Sequence, residues 1–120
     1  MSMNVEELRN YCLSLPNAEE SFPFDDETLV MKIGGKMFAF IPLEKVETCI
    51  NLKCDPELAI EMREKFRSVQ PGFHMNKTHW NTVIISDEIS ENLIKEWIKH
   101  SYELVKAKLP RSLPILTKEK

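Results

Sequence analysis

The sequence predicts one α+β domain over residues 1–120, a two-layer sandwich with helices packed on an antiparallel sheet of four to five strands. Three observations carry that expectation. The chain has 120 residues, 42% of them apolar, which suffices for one core and is too little for two. Segments with apolar residues at helical spacing alternate with short β-branched and aromatic runs, in the order helix, three strands, helix, one or two strands, helix. Each segment carries a single apolar face, and two stacked layers bury such faces most economically.

Taken in order, Asn4 with Glu7 three residues later has the form of a capping box, and Val5, Leu8, Tyr11, Cys12 and Leu15 recur at helical spacing behind it. Pro16-Asn17 stops this first helix. Residues 18–26, with Phe22, Phe24 and four acids, read as a loop whose aromatics tuck under the sheet edge. Residues 28–33 alternate in polarity, Gly34-Gly35 permits the positive φ angles of a two-residue turn, and residues 36–41 return as the second strand of a hairpin. Pro42 ends that strand, and residues 48–53 add a third, making an antiparallel meander.

Asp55-Pro56-Glu57 supplies an N-cap acceptor, a proline at the first helical position and an acid in the first turn. Leu58, Ala59, Met62 and Phe66 form the buried face of this second helix, and Glu57, Glu61, Arg63, Glu64, Lys65 and Arg67 its outer face. Residues 80–85 have strand composition. Residues 86–90 then offer caps for a long third helix marked by Leu93, Ile94, Trp97, Ile98, Ser101, Tyr102, Val105 and Leu109, which Pro110 ends. The tail, residues 111–120, is left either to dock through Leu113, Ile115 and Leu116 or to fray.

Charge and cysteine usage narrow the classes. The net charge is −3, but residues 1–31 hold seven acids against Arg9 alone, whereas residues 95–120 hold seven Lys/Arg against three Glu. A nucleic-acid binder with this balance needs a local basic face. No apolar run approaches the about 18 residues that span a bilayer, and the N-terminus has acids where a signal peptide has bases, so the expectation is a cytoplasmic monomer without membrane contact. Cys12, Cys49 and Cys54 are an odd set without a C-x-x-C pair and read as reduced, packed thiols. Glu19, Glu20, Asp25 and Asp26 lack the spacing and turn glycine of a calcium loop, so no metal is assigned to them.

The candidate site is the polar stretch 69–83, where Pro71-Gly72 leads into His74, Asn76, Lys77, His79, Trp80 and Asn81 before an apolar run. This places the cluster on a loop bordering a strand, where sites are commonly built. No nucleophile, acid and base arrangement is legible there, and His74 and His79, five apart without a Cys or acid at ligand spacing, do not make a metal site. Trp80 reads as a packing residue, and Asn76 and Asn81 as residues that close turns by bonding their own backbone. Accordingly no catalytic residue, cofactor or metal is assigned.

The run His74-Met75-Asn76-Lys77-Thr78-His79-Trp80, with Pro71-Gly72 before it and Thr82-Val83 after, resembles the signature of the MmcQ/YjbR family of small bacterial proteins. Residues 12–24 (Cys12-Leu13-Ser14-Leu15-Pro16-Asn17 through Phe24) resemble that family's opening segment, with Asn17 where relatives commonly have glycine. The resemblance implies an α+β fold similar to secretion-chaperone and frataxin-like sandwiches, and a double-wing mode of DNA binding. Carried over to this sequence, it implies that His74, Asn76, Lys77, His79 and Trp80 form the DNA-binding motif, with Lys77 as the phosphate contact on double-stranded DNA. The alternative is a chaperone-like interaction module in which the motif is structural and the sheet or its edge receives a peptide or protein partner.

Overall fold

Asn4 caps α1 (Val5–Ser14) as the box predicts: its side chain accepts the Glu7 N–H at 2.8 Å, and the Glu7 carboxylate accepts the Asn4 N–H at 2.9 Å. The computed structural model describes residues 3–22, 27–72 and 76–109. After α1 come β1 (Glu19–Ser21), β2 (Thr28–Ile33), β3 (Lys36–Pro42), β4 (Cys49–Lys53), α2 (Pro56–Lys65), β5 (Val69–Pro71), β6 (Trp80–Ile84) and α3 (Glu91–Lys106). The six strands form one sheet in the order β1-β2-β3-β4-β6-β5, antiparallel at every pairing.

Six strands, against an expectation of four to five, is a correction, and it arises at β1. Residues 19–21 read as loop because they are polar, yet an edge strand needs only one neighbour and carries charge well. Glu19, Glu20 and Ser21 pair with Lys32, Met31 and Val30, and the Glu20 carboxylate takes a bidentate contact from Arg9 of α1 at 2.6 and 2.7 Å. Phe22, expected under the sheet edge, is instead half exposed at 48%. Phe24, Pro110 and the tail with Leu113, Ile115 and Leu116 lie outside the described residues.

The hairpin forms as predicted, with Gly34 at φ 58° and Gly35 at φ 81°, angles that L side chains adopt at a cost. Asn17 takes the left-handed conformation at φ 63°, so asparagine serves where relatives commonly carry glycine. Between β2 and β3 the register slips by one residue, Met31 facing Ala39 and Lys32 facing Met37. The bulge turns both Phe38 and Ala39 into the core, and leaves Met37 and Phe40 on the other face.

All three helices cover one face of the sheet. Leu8 and Cys12 of α1, Met31, Ile50, Leu52 and Val83 of the sheet, Ala59 and Met62 of α2, and Ile94, Ile98 and Tyr102 of α3 join one buried cluster. Ser90 caps α3 by accepting the Leu93 N–H at 3.1 Å. Asp55 holds the N-cap position of α2, but its side chain makes no capping bond there, and Pro56 at the first position supplies the start. Ser101 of α3 accepts the Lys53 N–H at 2.8 Å and donates to the Phe38 carbonyl at 2.5 Å, so one hydroxyl ties α3 to β4 and β3. Cys12, Cys49 and Cys54 are free and buried, and burial pushes the Cys12 thiol up to about 12. No helix among the described residues is long and apolar enough to cross a membrane.

Candidate nucleic-acid interface

The turn before β6 is held from inside. The Asn76 side chain accepts the Thr78 N–H at 2.9 Å, and its carbonyl accepts the N–H groups of His79 at 3.2 Å and Trp80 at 2.9 Å, so Asn76 closes the turn as its residue type suggests. The Gly72 N–H donates to the Trp80 carbonyl at 2.8 Å, and a Cβ at Gly72 would stand 2.8 Å from the Trp80 Cβ. That approach excludes any side chain at position 72. The His79 carbonyl accepts the Cys54 N–H at 2.6 Å, which fixes the turn to the end of β4.

Arg63 completes the lock. Helical periodicity assigns it to the outer face of α2, but its guanidinium reaches across to donate to Asn81 Oδ1 at 2.6 Å, to the Lys77 carbonyl and to the Trp80 carbonyl at 3.5 Å. Asn81 is fully buried and donates to the Ala59 carbonyl at 3.3 Å, so it bridges α2 and β6 rather than closing a turn with its own backbone. A buried carboxamide with partners at both ends, one of them a charged group, has strong reason to stay in place.

The motif residues therefore divide. Trp80 is half-buried on the helix-free face, edge-to-face with Phe40 at 5.3 Å between ring centroids and 80° between planes, which is a packing role. Asn76 is spent on the turn. Lys77 is exposed, its backbone held by Arg63 while its ammonium is presented to solvent. His79 is half-buried beside it, and His74 lies outside the described residues. Among the described residues, no three of His, Cys, Asp and Glu gather where they could hold a metal ion.

A second basic group stands at the same end of the sheet, and composition alone did not reveal it. Lys53 is the last residue of β4 and the register partner of Trp80, three positions from Lys77. Lys36 opens β3 after the glycine turn, and Lys108 follows α3. Burial, then the charges of Lys108 and Lys36, hold the Lys53 ammonium below its usual range. Three lysines distant in sequence thus share one electrostatic neighbourhood. The only legible signal was the position of each at the end of an element, and placing those ends together requires the register.

Next to this basic end, the helix-free face carries a half-open cavity of about 1060 Å³. Its floor is the row Phe40, Asn51, Thr82 and Gln70, drawn from β3, β4, β6 and β5, and Ile84, Cys49 and Pro42 extend it. The loop residues Lys45, Val46 and Glu47 also line it. Asn51 is 7% exposed, and the Thr82 hydroxyl donates to its Oδ1.

Comparison with known proteins bears on the family and the fold. A family model described as YjbR matches residues 13–104. The chain is 40% identical over 100 residues to the uncharacterized protein YbdF of Escherichia coli O157:H7, covering 83% of this chain and 82% of that protein. It is 31% identical over 118 residues to the uncharacterized protein YjbR of Escherichia coli strain K12, covering 98% of this chain and 94% of that one. Among solved structures, Deinococcus radiodurans protein DR2400, with a DUF419 domain, superposes with a TM-score of 0.83 at 38% identity over 92% of each chain. A Pseudomonas syringae protein superposes with a TM-score of 0.74 at 26% identity, over 86% of this chain and 99% of the other.

Proposed function

This chain belongs to the YjbR family, and from that premise we propose that it is a DNA-binding module without chemistry of its own, which grips phosphates with the basic end of its sheet. The observation that carries the reading is the placement of Lys36 and Lys53 at the same end of neighbouring strands with Lys108 after α3, where burial and then the charges of Lys108 and Lys36 lower the Lys53 pKa, beside the locked turn that presents Lys77. Lysines held together at mutual cost are stabilised by an anion placed among them. In the double-wing arrangement that the resemblance implies, the β2–β3 turn with Lys36 and the 76–79 turn with Lys77 serve as the wings. His79 and, by the resemblance alone, His74 flank the second wing. Trp80 and Asn76 act by holding its shape.

The pH dependence follows from Lys53, whose pKa is lowered in the folded chain. Between that lowered pKa and the ordinary lysine value of 10.5, the unfolded chain binds more protons, so the protein gains stability as pH rises through this window. A phosphate among the lysines raises the Lys53 pKa again. Binding consequently takes up a proton in the same window, and affinity falls as pH rises through it. Titrations of duplex DNA at neutral and alkaline pH check this, and the Lys53→Met variant should show a shallower decline.

A protein-interaction reading has one observation in its favour, the partly apolar cavity on the sheet face. Addition of a peptide strand at an edge is poorly supported: β1 and β5 are three residues each, and β5 ends in proline. The test is binding of labelled duplex DNA at low salt by the wild type and by a Lys36→Ala, Lys53→Ala, Lys108→Ala combination. Salt-dependent binding that the triple variant loses sustains the proposal, and equal binding by both proteins refutes it.

A further inference from the structure

The cavity and the basic end share the helix-free face, and their spacing is set by the strands. Lys53 and Asn51 are two residues apart on β4, about 6.6 Å along the strand, with side chains toward the same face. Moving from the lysines toward the cavity, the surface passes from ammonium groups, over the Phe40–Trp80 pair, to a floor of carboxamide and hydroxyl groups between apolar walls. Asn51 is the residue of interest. It is 7% exposed and lines the cavity, and its Oδ1 is taken by the Thr82 hydroxyl, which leaves the amide nitrogen as the donor it can offer a ligand. A donor so placed, with the Gln70 carboxamide two strands away on the same row, suits a flat ligand that offers polar groups along its edge.

We infer that this cavity receives an unpaired base of a single-stranded nucleic acid whose phosphates lie on Lys53, Lys36 and Lys108. The inference rests on the DNA-binding reading above and deepens it. A base offers what the site lacks: flat faces to pack against Ile84, Val46 and the Phe40 edge, and an edge with donors and acceptors for Asn51 and Gln70. A base within a duplex has that edge occupied by its partner and cannot enter, so the cavity selects for single strands as the lysines do not. At about 1060 Å³ the space is at the upper end of ordinary ligand pockets and admits a base without rearrangement of the sheet. Charge complementarity decides between occupants: an apolar peptide would fit the walls but leave the adjoining lysines without counter-charge.

Fluorescence anisotropy with a labelled oligothymidylate of about a dozen nucleotides, against a labelled duplex of equal length, tests the inference. Ile84→Trp fills the cavity from β6 and leaves Lys36, Lys53 and Lys108 in place, and Asn51→Leu removes the carboxamide; thermal unfolding verifies that each variant is folded. The wild type should bind the single strand roughly ten-fold or more tightly than the duplex, as one packed base allows. Both variants should lose that preference and keep duplex affinity. If the wild type binds the duplex in a salt-dependent manner but shows no preference, or if both folded variants retain the preference, the base-binding inference falls and the phosphate-binding reading stands. Absence of salt-dependent binding to either probe overturns both.

Discussion

Arg63 makes three of the hydrogen bonds around the 76–79 turn, one of them to the fully buried Asn81. Arg63→Met keeps most of the volume but strands the Asn81 oxygen, and should lower stability by about 2–3 kcal/mol, read as a lower urea midpoint at unchanged slope. Lys77→Ala is the contrast: an exposed side chain should change stability by no more than about 0.5 kcal/mol while weakening DNA binding similarly for all sequences. Unchanged stability of Arg63→Met would show that the turn holds itself. Trp80→Ala should cost less than the about 3–5 kcal/mol of a fully buried tryptophan, because Trp80 is half-buried and packs chiefly on Phe40. The roles of Asn76 and Trp80 were legible from residue type. That of Arg63 was not, because a long side chain on the polar face of a helix can reach a neighbouring element, and periodicity reports only where its Cα lies.

At the scale of elements, the basic end depends on how α3 is seated. Ser101 is fully buried and bonds both the Lys53 N–H and the Phe38 carbonyl, close to the residues that set the lysine group. Ser101→Ala leaves two main-chain groups without that partner and should cost about 1–3 kcal/mol, measurable as a lowered thermal midpoint with the fold retained by circular dichroism. No loss of stability would mean that α3 is seated by its apolar stripe alone. The helices, the glycine hairpin and four of the strands were legible in the sequence, since period, caps and turn residues agree at each. β1 escaped because three polar residues carry no periodicity, and its place is set by β2 and by the Arg9–Glu20 pair, which lie elsewhere in the chain.

For the whole molecule, a net charge of −3 opposes approach to DNA, and the proposal requires that charge be sorted by the fold. Along the chain the acids gather toward the N-terminal end, and the fold brings Lys36, Lys53 and Lys108 into one electrostatic neighbourhood at the end of the sheet where the Lys77 turn enters β6. A linear charge count could see the first asymmetry but not the second. The most direct measurement is duplex affinity across a series of salt concentrations for the wild type and for Lys36→Ala, Lys53→Ala, Lys77→Ala and Lys108→Ala singly. The account predicts that log K falls linearly with log salt, and that each substitution flattens the slope by about 0.9, one counterion's share for B-DNA. A wild type that shows no salt-dependent binding, or four substitutions that leave the slope unchanged, would contradict it.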